Sequence, residues 1–240
     1  MEKLQLKQSL LACKDHVDRE WLQKHSALFV EEHMAKLSQN LLDFHKNGVR
    51  DTQPLPHFHV ECTPPLSQAF IDFQDALSAL QKTQFATTTS NLALLGSCLQ
   101  KAGCMKILML LGQRHTPASI TDYTAIPPTT ELLMSSAFME GKQGLTIAAR
   151  AWTKHVGRSD DNFWGEVKGS AQTKNNNARQ IVLSILQNTT WWNIFYHYKH
   201  ALVYEARVSS GHGVRWGKKG EEFIGFLEPF LEEEKNGDNF

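Results

Sequence analysis

Apolar side chains recur in this chain at two different spacings, and the change of spacing after His200 limits the folds open to it. From about Leu4 to Lys46 the positions Leu10, Cys13, Val17 and Trp21, then Leu28, Phe29, Met34, Leu37, Leu41, Leu42 and Phe44, recur at the helical period. Leu66 to Phe85 repeats the pattern with Phe70, Phe73, Leu77 and Leu80, and Thr87 to Ser90 offers capping hydroxyls ahead of an apolar segment ending at Leu111. Beyond His200, Val203 to Val208 alternates. Ser209-Ser210-Gly211-His212-Gly213 then has turn composition, Val214-Arg215-Trp216 can return antiparallel, and Gly217 to Gly220 turns again before Phe223 to Leu227. The expected fold is therefore α+β: a mostly helical domain with a small C-terminal three-stranded antiparallel meander, one face of which must lie against a helix to be stable.

Punctuation between these elements sets the organisation. Asn47-Gly48 stops the first helical stretch, and prolines crowd Pro54 to Pro65. The segment from Thr116 to Pro128, with Pro117, Pro127 and Pro128, is the candidate internal boundary, but Tyr123 and Ile126 within it are packing residues. A single composite domain over residues 1–240 is therefore expected, ending in an acidic tail at 231–240. Glu131 to Met139 and Leu145 to Val156 form a helical pair broken by Gly141 and Gly144, and Ala171 to Leu186 follows with Ser170 as its cap.

Composition removes several function classes. With 41% hydrophobic and 21% charged residues the chain can bury a core and is no disordered tail. Charges in Met1 to Lys7 oppose a secretory signal, and the run Ile107 to Leu111 is far short of the roughly 20 apolar residues that cross a bilayer. No membrane partner is expected. Cys13, Cys62, Cys98 and Cys104 lack paired spacing, which suits reduced thiols in a soluble protein of the cytoplasm or nucleus. His57, His59 and Glu61 would share one side of an extended segment, yet neighbouring prolines and the lack of a distant partner make this a packed loop. No metal site and no cofactor fingerprint is expected.

Charge carries the functional argument. The formal net charge is zero, but residues 142–220 hold twelve basic against four acidic side chains, and residues 221–240 seven acidic against one basic. Five of the six tryptophans, Trp152, Trp164, Trp191, Trp192 and Trp216, lie in the basic segment with His155, His197, His200 and His212. Cations interleaved with aromatics suit phosphate contacts beside base stacking, or a pocket for a smaller anion. Arg150, Lys154 and Arg158 fall at i, i+4 and i+8, lining one helix face opposite Leu145, Ala148, Ala149, Trp152 and Val156. Like charges so placed destabilise a helix unless something negative faces them.

The expected contacts with an anionic ligand, either nucleic acid or a phosphorylated small molecule, are Arg150, Lys154, Arg158, Trp164 and Lys168, with the turn Ser210, Gly211 and Gly213. Two further readings stay open. One is a small phosphoryl-transfer or hydrolytic enzyme with His212 as acid/base and Arg215 as charge stabiliser. The other is an adaptor docking an acidic protein. A pocket enclosing His212, Arg215 and Arg158 together would favour the enzyme, and an open groove the polymer.

Overall fold

The structure is a computed structural model that describes residues 2–159, 161–199 and 201–230; the tail expected at 231–240 lies outside them. Helices α1 (Glu2–Ala12), α2 (Arg19–His25), α3 (Glu31–Asn47), α4 (Leu66–Lys82) and α5 (Thr89–Leu110) make up the N-terminal part. Helices α6 (Thr130–Ala137), α7 (Ile147–Val156) and α8 (Ala171–Gln187) then lead into strands β1 (Trp191–His197), β2 (Ala201–Arg207), β3 (Gly213–Gly217) and β4 (Glu222–Leu227).

Helical spacing in the sequence becomes burial in the fold. α3 buries Met34, Leu37, Ser38, Leu41 and Leu42, and stops where the Gly48 N–H bonds back to the Phe44 carbonyl. Thr88 caps α5 by accepting from the Asn91 N–H at 3.3 Å, as Ser170 caps α8 by accepting from Thr173. By length and composition α5 matches a membrane-crossing helix. Its Leu95, Leu99, Ile107, Leu108 and Leu110 are nevertheless at most 1% exposed, and Gly103 interrupts its helical dihedrals, which are traits of a core helix.

The sheet is an antiparallel meander in the order β1-β2-β3-β4. It has four strands, where the alternation of the sequence predicts three. The additional strand is β1, whose first four residues, Trp191 to Ile194, are buried on both faces, and such cover erases alternation from a sequence. Trp192 and Ile194 pack into the helical core, while on the other side Trp191 meets Phe58 edge-on at 5.1 Å and Asn193 receives a hydrogen bond from Gln113. The proline-rich segments dock here. The Arg114 N–H bonds to the Trp192 carbonyl at 3.0 Å and the Ile120 N–H to that of Ile194 at 2.9 Å, continuing the sheet beyond its first strand. The Arg114 guanidinium, 2% exposed, binds Glu61 and the carbonyls of Pro54 and Pro56. Buried apolar side chains run as one cluster from Leu6 to Phe226.

Candidate active site

Strand alternation sorts the sheet into two faces. Trp192, Ile194, Tyr204, Ala206, Val214, Trp216, Phe223 and Phe226 face the core, where α6, α7 and α8 lie against the strands. On the opposite face the register sets Asn193, Glu205, Arg215 and Gly225 side by side across all four strands. Glu205, 1% exposed, accepts from Arg207 Nε at 2.6 Å on one oxygen and from Arg215 Nε and Nη2 at 2.8 and 2.6 Å on the other. A carboxylate this deep is tolerated only because both oxygens are matched by guanidinium donors.

The two arginines then diverge. Arg207 spends its remaining reach on the carbonyls of Gly211 and Glu228, at 2.5 and 2.9 Å, and lies over the Phe230 ring. Burial lowers its pKa, with Glu205 opposing that shift. Arg215 keeps a side chain 15% exposed, with Nη1 3.1 Å from His197 Nε2. One guanidinium thus sits between a carboxylate and an imidazole. His197 Nδ1 also faces a donor, the Lys199 N–H at 3.1 Å. A Cβ built on Gly225 meets nothing within 4 Å, which leaves open space beside Arg215. Phe195, partly exposed, lies under the guanidinium with its ring centre 5.9 Å away.

A second polar centre gathers around His212 at the turn between β2 and β3. Its Nε2 is 2.7 Å from Asp161 Oδ2 and 3.7 Å from Glu228 Oε2, and its Nδ1 is 2.9 Å from Ser210 Oγ. Phe163 stacks on the ring at 3.8 Å. Glu228 Oε1 accepts from Trp164 Nε1 and lies 2.9 Å from His155 Nε2. Asp161 is held below the usual carboxylate range by the Phe163 N–H and by His212. Burial pushes the Glu228 carboxyl up, and hydrogen bonds from Ser159, Trp164 and His155 outweigh it, for a net lowering.

The residues singled out from sequence fall into different places. His212 and Arg215, expected to form one catalytic centre, have separate neighbours: Asp161, Ser210 and Phe163 for the first, Glu205, His197 and Phe195 for the second. Trp164 is fully buried, so its ring packs against Phe226 and His155 while Phe163 beside it is 40% exposed. Lys168 pairs with Glu166. Ser210 orients His212, the Gly211 carbonyl receives Arg207, and Gly213 lets β3 approach β2, since a Cβ there would lie 2.4 Å from the Ala206 carbonyl oxygen. Arg150 and Lys154 are exposed on α7, but the helix ends at Val156, so Arg158, also exposed, lies in the turn beyond it and the three do not line one continuous helix face. Hollows of about 450 and 500 Å³ lie beside α3 and α8, and neither joins His212, Arg215 and Arg158. Glu205, Asp161, Glu228 and His197 are site members that the sequence does not announce. Only the alternation of β2, which sets Glu205 and Arg207 on one face, carries a signal.

The family described as the CdiA C-terminal tRNase toxin domain matches residues 134–228, the stretch from α6 through β4 that contains both polar centres. No characterised protein sequence and no solved structure matches the chain.

Proposed function

We propose that the protein is an RNA-cleaving enzyme acting on tRNA, with its active centre on the open face of the sheet. The observation that carries this reading is the Arg215 guanidinium held between Glu205 and His197 within the segment similar to a tRNase toxin domain. Cleavage of RNA by its own 2′-hydroxyl needs a base to take that proton, an acid to protonate the departing 5′-oxygen, and a cation for the phosphorane charge. The centre offers one of each. When a phosphate oxygen takes the donors of Arg215, it frees a Glu205 oxygen to accept the 2′-hydroxyl proton. The 2′-oxygen then attacks phosphorus, the bond from phosphorus to the 5′-oxygen breaks, and the Nε2–H of His197, released from Arg215, gives its proton to the leaving oxygen. The products are a 2′,3′-cyclic phosphate and a 5′-hydroxyl. Arg207 does not touch substrate; it holds Glu205 in place.

The test is incubation of the purified chain with total tRNA, ribosomal RNA and duplex DNA, with mapping of the fragment ends. Cleavage of tRNA to cyclic-phosphate ends, lost in His197→Gln, is the expected result. Fragments carrying 5′-phosphates, or full activity in His197→Gln, would remove the centre from the chemistry.

A further inference from the structure

The geometry around His212 points to a binding site for one divalent transition-metal ion, held by Asp161, His212 and Glu228 with His155 beside them, and zinc is the metal its donors suit. These residues come from four separate places: α7, the loop that follows it, the β2–β3 turn and the end of β4. Their ligand atoms nonetheless converge, and those of Asp161, His212 and Glu228 all lie within 4.8 Å of one another. The His212 side chain is only 6% exposed. With Ser210 on Nδ1, its Nε2 is aimed at the two carboxylates, the arrangement in which an outer hydrogen bond fixes ring orientation for a metal-bound imidazole.

Distances and chemistry agree with this assignment. Zinc bonds of about 2.0–2.2 Å place neighbouring donors of a tetrahedron roughly 3.3–3.5 Å apart. The 3.7 Å between His212 Nε2 and Glu228 Oε2 is already close to that spacing. The direct 2.7 Å contact from His212 to Asp161 would open by less than an ångström as the ion replaces the shared proton. Asp161 and Glu228 each have side chains 41% exposed, which gives the ion a way in. Mixed imidazole and carboxylate donors select zinc and its neighbours over calcium or magnesium, which take oxygen ligands. His155, 2.9 Å from Glu228 Oε1, orients Glu228.

Bound there, the ion would clip the loop after α7 to the turn and to the end of β4. The Glu228 carbonyl also receives Arg207, which grips Glu205, so the clip would brace the sheet-face centre without entering it. The site stands whether or not the chain cleaves RNA.

The experiment uses the untagged 240-residue chain, stripped with a chelator, reloaded with zinc, passed through a desalting column and assayed for metal by mass spectrometry. Retention of one zinc per chain is expected, with a higher Tm than the stripped protein. Asp161→Asn and Glu228→Gln, both at exposed positions, should each lose the metal while keeping the far-ultraviolet circular dichroism of the parent. His212→Ala should do the same where it folds. Cys62→Ser and His197→Gln should retain it, the latter even if RNA cleavage is abolished. Failure of the wild type to retain zinc, or retention of a full equivalent by the folded Asp161→Asn/Glu228→Gln double variant, would overturn the proposal.

Discussion

The same four strands build two opposite surfaces, and the contrast between them separates apolar packing from paired charge. The helix-facing surface is aromatic and aliphatic, with Trp216 fully buried beside Phe223 and tied by its Nε1 to the Leu133 carbonyl. The other surface carries Asn193, Glu205, Arg207 and Arg215. Burying those charges costs free energy that only close pairing offsets, so they are a poor choice for holding a sheet together. One end of that face is sealed by Phe58, Gln113 and Ser119, and the other is left open at Gly225. A face that keeps paired charges beside open space suits binding and catalysis.

The sharpest way to break this contrast is to change one side chain on each face. His197→Gln should lower RNA cleavage by about 10²- to 10⁴-fold, the usual worth of a positioned proton donor, with little change in Tm. Arg215→Lys keeps the charge but loses the fork shared by Glu205 and His197, and a fall of similar size is expected. Trp216→Ala on the other face should destabilise the fold by about 3–5 kcal/mol, read from urea unfolding, while the molecules that remain folded keep their turnover. If His197→Gln unfolds the protein and Trp216→Ala leaves it stable but inactive, the two faces have been assigned the wrong way round.

How much of this is legible in the sequence follows the same division. The helices and β2 to β4 can be read because one side of each is apolar, and the caps at Thr88 and Ser170 are visible as hydroxyls ahead of apolar stretches. β1 is not, because neighbours cover both faces of its first four residues. The charge centre is half visible: Arg215 stands out as a cation near a glycine-rich turn, whereas Glu205 looks like one acid among many basic residues. Its meaning depends on register, which pairs it with Arg215 across strands, and register is set by the three-dimensional path of the turns. The residues gathered around His212 are separated by up to 73 residues, between His155 and Glu228, so no local spacing can announce them.

Two buried histidines, one at the sealed end of the charged face and one on α3, supply a pH test. His115, 3.2 Å from Gln113 Oε1, and His33, bonded to the Pro127 carbonyl, both have pKa values lowered by burial, partly offset by Glu61 and Glu32 respectively. A depressed imidazole pKa means that the unfolded chain binds more protons than the folded one. The stability these residues contribute is therefore fully present above the ordinary value of about 6.5 and is lost as pH falls through the folded values. Each can contribute at most about 1.4 kcal/mol per pH unit within that window. Urea unfolding between pH 7 and pH 5 should show falling stability, with a shallower slope in His115→Gln and His33→Gln. A flat profile in the wild type would mean that these rings are not kept neutral by the fold.

The smallest effect is expected from Arg150, Lys154 and Arg158, and it tests whether substrate extends beyond the charged face. All three are exposed. Lys154 on α7 and Arg158 in the turn after it lie on either side of His155, which turns inward to Glu228, so this stretch shows its cations to solvent. A tRNA backbone lying across α7 would be held there by counterion release, and not by any single strong bond. Replacing all three with alanine should leave Tm and saturated turnover nearly unchanged and weaken tRNA binding. The slope of log K against log salt should shrink by about 0.7 to 0.9 for each phosphate that the variant no longer neutralises. Arg215→Lys behaves oppositely, since it retains its charge: turnover falls, and the salt slope stays within about 0.9 of the parent value. If the triple variant binds tRNA with an unchanged slope, the stripe lies outside the RNA footprint, and the polyanion is held by the sheet face alone.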